Sequence, residues 1–202
     1  MLALSALAAV AAASTPLADA SSDNSSVIRP GRSIGKFAVG LTEQQLRRVA
    51  GRPTYVVVQP RRLFPRRTVE WQYGRAGDYV VQLVGRPGRM RVNFVSTMLR
   101  RERTANKIGV GTRERVVREA YPTIRCAPLE KPQPPGTPPD KNPYVDGIRD
   151  CTLFAASGAR TIFRSQVPDR RYPVTAEQFL QRAVVVEIVV SLRPCRQWSL
   201  AC

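Results

Sequence analysis

The sequence predicts an α+β fold. A helix followed by antiparallel strands is written twice, and the two copies share one sheet with both helices on one face. Three observations predict this. The stretch "VGLTEQQLRRVAGRPT" at 39–54 returns in altered form as "VGTRERVVREAYPT" at 110–123. Each is followed by short runs of alternating apolar and polar residues or apolar runs set off by turn signals. Each copy also closes on a similar run, "RMRVNFVST" in the first and "RAVVVEIVVS" in the second. Neither copy carries enough apolar surface to stand easily alone, whereas two side by side extend one sheet and cover one of its faces. The other face is expected to lie open, as antiparallel sheets allow.

Residues 1–20 begin with an apolar run of Leu, Ala and Val and end on Ala18-Asp19-Ala20, a small-x-small pattern. This reads as a secretory signal too short to span a bilayer, although no Lys or Arg precedes the apolar run. No Cys follows it closely, so a lipid anchor is not expected. Residues 21–29, "SSDNSSVIR", read as a flexible mature N-terminus. The first repeat spans 30–100. Its helix has Thr42 at the N-cap and Gln45 three residues on, a capping box, with Leu41 and Leu46 as a hydrophobic staple. Gly51 suits the residue past the helix end, and Pro53 blocks continuation. Leu46, Val49 and Ala50 form the expected buried face. Three strands follow: "TVEWQY" (68–73), "DYVVQLV" (78–84) and "RMRVNFV" (89–95), joined by the turns "GRAG" and "GRPG". Val69, Trp71 and Tyr73 should share the core face, as should Met90, Val92 and Phe94.

The second repeat spans 101–194. Its helix takes Thr112 as N-cap, Val116 and Ala120 as buried face and Tyr121-Pro122 as stop. Arg115 stands where Gln would complete the box, so this helix should depend on packing more than on its cap. A proline-rich insertion, 122–143, holds eight prolines and reads as a stiff extended loop. The strands are "CTLFAA" (151–156), "RTIFRS" (160–165) and "RAVVVEIVVS" (182–191). In the last, Val184, Val186, Ile188 and Val190 should face the core and Glu187 outward.

Charge and composition bound the function. There are 32 Lys and Arg against 15 Asp and Glu, a net charge of +17, and all but four of the cations are arginine. A GC-rich coding sequence accounts for arginine excess, but the charge draws polyanions whatever its origin. There is no histidine. That removes Ser-His-Asp triads, His metal sites and imidazole acid–base chemistry. The cysteines are Cys126, Cys151, Cys195 and Cys202, and none lies in a CxxC pair. After export they pair by default, and four cysteines allow three pairings. The favoured one joins Cys126 to Cys151 across the proline loop. Cys195 and Cys202 then close a C-terminal loop, 195–202, around Trp198. No metal or cofactor is expected.

The stretch "IRPGRSIGKFAVGLTEQQLRRVAGRPT" followed by "VEWQYG" resembles a known group: the small α/β module of the beta-lactamase inhibitory protein and of the outer-membrane assembly lipoprotein BamE (SmpA). The carriers are the G-hydrophobic-Thr helix start, the G-x-P helix end and the W-x-Y-G strand, within residues 30–192. The tandem form is closer to the inhibitor, and a disulfide inside the second module fits its pattern. The resemblance implies a scaffold that binds protein partners through its exposed sheet face and loops. It assigns no contact residue here.

Candidate binding residues come from "QPRRLFPRR" (59–67), where Arg61, Arg62, Arg66 and Arg67 surround Leu63 and Phe64. Arginine forks around an aromatic suit a phosphate polymer or an acidic protein edge, though such a segment is also an ordinary solvated loop. "LRRERT" (99–104), with Arg100, Arg101 and Arg103, reads as a charged linker. Trp71 and Tyr73 read as core, and Trp198 as anchor or plug. Glu70, Asp78, Asp146, Asp150 and Glu187 are scattered and show no shared site. The expectation is a secreted or envelope-associated, non-enzymatic module that binds an extracytoplasmic protein. The alternative is a surface module that holds anionic envelope polymer through its arginine loops, nucleic acid being the least expected polyanion.

Overall fold

A computed structural model describes residues 27–60, 66–129, 144–145, 147–168 and 174–192. The elements are β1 (Val27–Arg29), β2 (Ser33–Ile34), β3 (Phe37–Ala38), α1 (Glu43–Ala50), β4 (Tyr55–Val58), β5 (Thr68–Tyr73), β6 (Tyr79–Val84), β7 (Arg91–Thr97) and β8 (Arg103–Thr104). They continue as α2 (Glu114–Ala120), β9 (Arg125–Cys126), β10 (Tyr144–Val145), β11 (Ile148–Phe154), β12 (Arg160–Gln166), β13 (Val174–Thr175), α3 (Ala176–Arg182) and β14 (Val184–Ser191). The fold is mixed α and β, with strands predominating. An eight-stranded sheet runs β4-β5-β6-β7-β14-β12-β11-β9, and all of its pairings are antiparallel. A small sheet, β3-β2-β1-β8, contains the parallel pair β1·β8, and β10 pairs with β13.

One apolar cluster joins the large sheet to α1 and α2. Leu46 of α1 and Val117 of α2 pack into it with Trp71, Val81, Phe163 and Ile188. Val69, Trp71 and Tyr73 are all buried on that face, as their period-two spacing predicts. Helix α1 begins as its sequence dictates. The Thr42 hydroxyl accepts from the Gln45 N–H at 3.2 Å, and the Gln45 side chain accepts from the Thr42 N–H at 2.9 Å. Gly51 ends the helix at φ 78°, a region that side chains disfavour. Thr42→Ala removes the reciprocal cap and is expected to cost about 1 kcal/mol. Urea unfolding should show that loss at unchanged slope.

Several expectations are corrected. Ordered structure starts inside the stretch read as flexible: Val27–Arg29 is a strand, and Ile28 is buried between β2 and β8. Its partner Thr104 is distant in sequence, so no local pattern announces it. Val49 and Val116 are exposed, while Val117 and Glu114 carry the buried side of α2. The N-cap of α2 is Arg113, without a side-chain cap bond. The Thr112 hydroxyl instead accepts from the Gly109 N–H at 3.0 Å.

Two bulges move the strand faces. Gln82 opposes Phe94 but Leu83 opposes Val92, so Asn93 is an extra residue and Phe94 leaves the core face for the other. Likewise Arg164 opposes Glu187 but Ser165 opposes Val185, which makes Val186 the extra residue. Val185 therefore takes the core place expected of Val184 and Val186, while Ile188 and Val190 keep theirs. Nor is the second face wholly open. Ile162 and Val189, direct cross-strand partners on it, are buried.

The first part of the proline-rich insertion is structured. Arg125–Cys126 is the outermost strand on its side, and Ala127 donates to the Asp150 carbonyl at 2.9 Å. Residues 130–143 lie outside the described residues. Helix α3 was not expected, although Thr175 and Gln178 form the same capping box as Thr42 and Gln45. Its Phe179 packs with Val167, Val174 and Ala183 in a second, smaller cluster. Among the described residues no helix is long and apolar enough to cross a membrane.

Candidate interaction site at the edge strand

Strand β4 is bracketed by Pro53 and Pro60 and reads Tyr-Val-Val-Val, four good strand formers without alternation. Among the described residues it ends the large sheet and pairs only with β5, Val56 opposite Trp71 and Val58 opposite Val69. All four of its residues are exposed, from 40% at Val57 to 67% at Tyr55. Exposure on both faces means that, among the described residues, neither a helix nor a loop covers this edge. The Gln59 N–H donates to the Thr68 carbonyl at 3.0 Å, which makes that pair hydrogen-bonded. Antiparallel alternation then turns Tyr55 and Val57 toward β5 and points the backbone groups of Val56 and Val58 outward. Their side chains continue the apolar row of Trp71 and Val69 past the sheet.

Natural edges are blunted by charge, bulges or covering, and β4 has none of these within its four residues. The charge lies beside it. Arg47 of α1 sits over the Trp71 ring at 4.5 Å and pairs with Glu43 at 3.2 Å. Arg66 and Arg67 are exposed just before β5. The connection from β4 to β5 is the arginine-rich stretch itself, so the sequence-predicted site and the bare edge adjoin. Arg61, Arg62 and Phe64 fall in that connection but outside the described residues, as does Trp198. The signal that pointed to β4 was present in its composition. A continuous apolar run has no period, however, and period is what separates a covered strand from a bare one in sequence.

The other edge is finished differently. Cys126 of β9 is bonded to Cys151 of β11, its direct cross-strand partner. Cys195 and Cys202 lie outside the described residues. Glu114 approaches both sulfurs, but these are committed to the disulfide and its carboxylate to Arg149. Asp150 and Glu187, scattered in sequence, are brought together: Arg164 stands between them on neighbouring strands and binds both. That row is a cross-strand ion triad on the far face of the sheet. Glu70 is bonded instead to Gln59 and Gln72, at 3.3 and 2.9 Å. Asp78 turns to the Arg75 N–H at 3.2 Å. Asp146 is outside the described residues. Of the linker arginines, Arg103 donates to the Thr112 hydroxyl at 3.1 Å and Arg101 faces Glu102 at 3.6 Å.

Tyr73 and Tyr79 are the groups whose ionisation the fold changes most clearly. Burial pushes both phenols up from 10.0 to about 12; at Tyr79 the bond to Glu102 adds to the rise, while Arg47 opposes it at Tyr73 and Arg101 at Tyr79. The folded state thus favours the neutral phenols. As pH rises past about 10 the unfolded chain loses those protons first, so stability falls until about 12. Urea midpoints taken across that window should drop steeply. Tyr79→Phe should flatten the drop.

No known family matches the chain, and neither does any curated protein. Among solved structures, an extracellular protein containing a SCP domain, from Bacillus anthracis str. Ames, aligns with a TM-score of 0.36 and 10% identity. The alignment covers 76% of this chain but only 43% of that one. A likeness at that level carries no argument about fold or function.

Proposed function

We propose that the chain is an extracytoplasmic, non-enzymatic binding module that captures an acidic, extended segment of a partner protein as an added strand on β4. The edge carries this reading, because among the described residues nothing covers the outward backbone groups of Val56 and Val58. The partner's character follows from charge. A second copy would bring +17 against +17, whereas an acidic segment is drawn to Arg47, Arg66 and Arg67. The Cys126–Cys151 disulfide supports an oxidising compartment. The signal-like start supports export.

We also propose that the fold is one unit written twice, in the manner of the inhibitor-like modules it resembles. The sheet order supports it: β4-β5-β6-β7 is met by β9-β11-β12-β14 running inward from the other edge. The bulges at Asn93 and Val186 fall at matching places in the two closing strands. The pair Val56–Trp71 corresponds to Cys126–Cys151, so a disulfide holds one edge where the other is left free.

The test is retention on the immobilised, oxidised chain. Envelope extract is passed over it and washed at low and at high salt, with Val56→Pro and Val58→Pro as parallel columns. A discrete protein held through high salt by the wild type and lost from both proline variants is the expected result. Retention of polymer alone, all of it lost at high salt, would replace this reading with binding of anionic envelope polymer through Arg61, Arg62, Arg66 and Arg67.

A further inference from the structure

A concavity lies where the end of α1 meets the β2–β3 hairpin and the turn between β5 and β6. It is a cleft of about 670 Å³, within the size range of small-molecule sites. Three cations line it, Lys36, Arg52 and Arg101, against one acid, Asp78. They come from three separate segments, so the folded chain alone assembles them. Gly74, also in the wall, has φ 82°, and a Cβ there would stand 2.4 Å from Asp78 Oδ2. The glycine thus lets Asp78 tuck against the turn, where it accepts from the Arg75 N–H. That acid is engaged with backbone, and a second carboxylate, the buried Glu102, stands behind the wall against Arg101 and Tyr79.

The wall also holds three aromatic rings. Phe37 lies 5.0 Å from Tyr73 and 4.6 Å from Tyr79, centroid to centroid. The two tyrosine hydroxyls differ. Tyr79 donates to Glu102. Tyr73 is buried, and its hydroxyl has no hydrogen-bond partner among the described residues. That hydroxyl is enclosed by the protein, so it lies behind the cleft wall and leaves the charge of a ligand to the cations. Arg101 faces the buried Glu102 through Nε at 3.6 Å and also bonds the Tyr79 hydroxyl; its side chain is largely exposed, so its remaining N–H groups can turn to a planar or tetrahedral oxyanion.

We propose that this cleft binds a small molecule carrying one oxyanion, a carboxylate or a phosphate monoester, on an aromatic or apolar body. Arg52, Arg101 and Lys36 hold the charge, and the ring edges of Tyr73 and Tyr79 at the cleft wall pack the body. The site does not depend on β4, and failure of strand capture leaves it untouched.

Calorimetric titration of the full oxidised chain with benzoate, phenyl phosphate and inorganic phosphate tests it. Saturable binding of benzoate or phenyl phosphate is expected, and the tighter of the two names the oxyanion. Arg52→Gln and Arg101→Gln should each weaken it by about tenfold or more. Arg86→Gln, an exposed turn residue elsewhere, should leave it unchanged. Circular dichroism of each variant confirms that it is folded. The proposal is overturned if neither organic probe saturates, or if Arg86→Gln weakens binding as much as Arg101→Gln does, which would mean attraction to net charge alone. Inorganic phosphate binding as tightly as phenyl phosphate would overturn the apolar part of the ligand.

Discussion

Glu114→Ala is expected to lower the free energy of unfolding by about 3–5 kcal/mol, a large part of what a domain of this size possesses. The reason is the environment of the pair it breaks. Glu114 is 1% exposed and Arg149 10%, and the guanidinium grips the carboxylate through two nitrogens. Truncating the acid leaves Arg149 desolvated and unpaired. Arg149 also lies over the Phe179 ring at 5.5 Å, so one guanidinium ties α2, β11 and α3 together. The backbone reinforces the junction, with the Glu114 N–H donating to the Ala183 carbonyl at 3.0 Å. Urea unfolding followed by far-ultraviolet dichroism measures the loss. The double variant Glu114→Leu with Arg149→Met should recover most of it, because no buried charge remains without a partner. A single-variant loss below about 1 kcal/mol would show the pair to be solvated in solution.

Val56→Pro and Val58→Pro are expected to abolish strand capture, with partner affinity falling by about a hundredfold or more, while the fold persists. Proline is tolerated on edge strands where its missing N–H faces outward, which is the geometry of these two residues. Each variant removes a donor offered to an incoming strand and leaves the β4·β5 bonds in place. Val57→Pro serves as the contrast. Its N–H faces β5, so it should destabilise the hairpin, lower the urea midpoint and reduce capture through unfolding. Arg66→Gln with Arg67→Gln should act on association rate and its salt dependence more than on dissociation. Unchanged affinity in both outward proline variants, with dichroism intact, would remove β4 from the interface.

Much of the scaffold was legible because its signals are local. The Thr42–Gln45 box, the Gly51 stop and the alternation of Val69, Trp71 and Tyr73 each lie within a few residues, and each appears where it was expected. Helix α3 carried the same box at Thr175 and Gln178 and could have been read by the same rule. The edge strand was harder. "YVVV" is strand-like by composition, but whether a strand is central or bare depends on what lies beside it.

The sequence by itself determined α1, the core face of β5, the Cys126–Cys151 pairing as the favoured choice, and a charge suited to anionic partners. Tertiary structure alone decided the rest. One extra residue, Asn93 in β7 and Val186 in β14, turned Phe94 out and brought Val185 in, because a strand's side chains alternate and a single insertion reverses every face beyond it. Pairing across long stretches of chain buried Ile28, joined Asp150 to Glu187 through Arg164, and gathered Lys36, Arg52 and Arg101 around one cleft. Such contacts depend on which distant segments become neighbours, and neither propensity nor period within a short window encodes that.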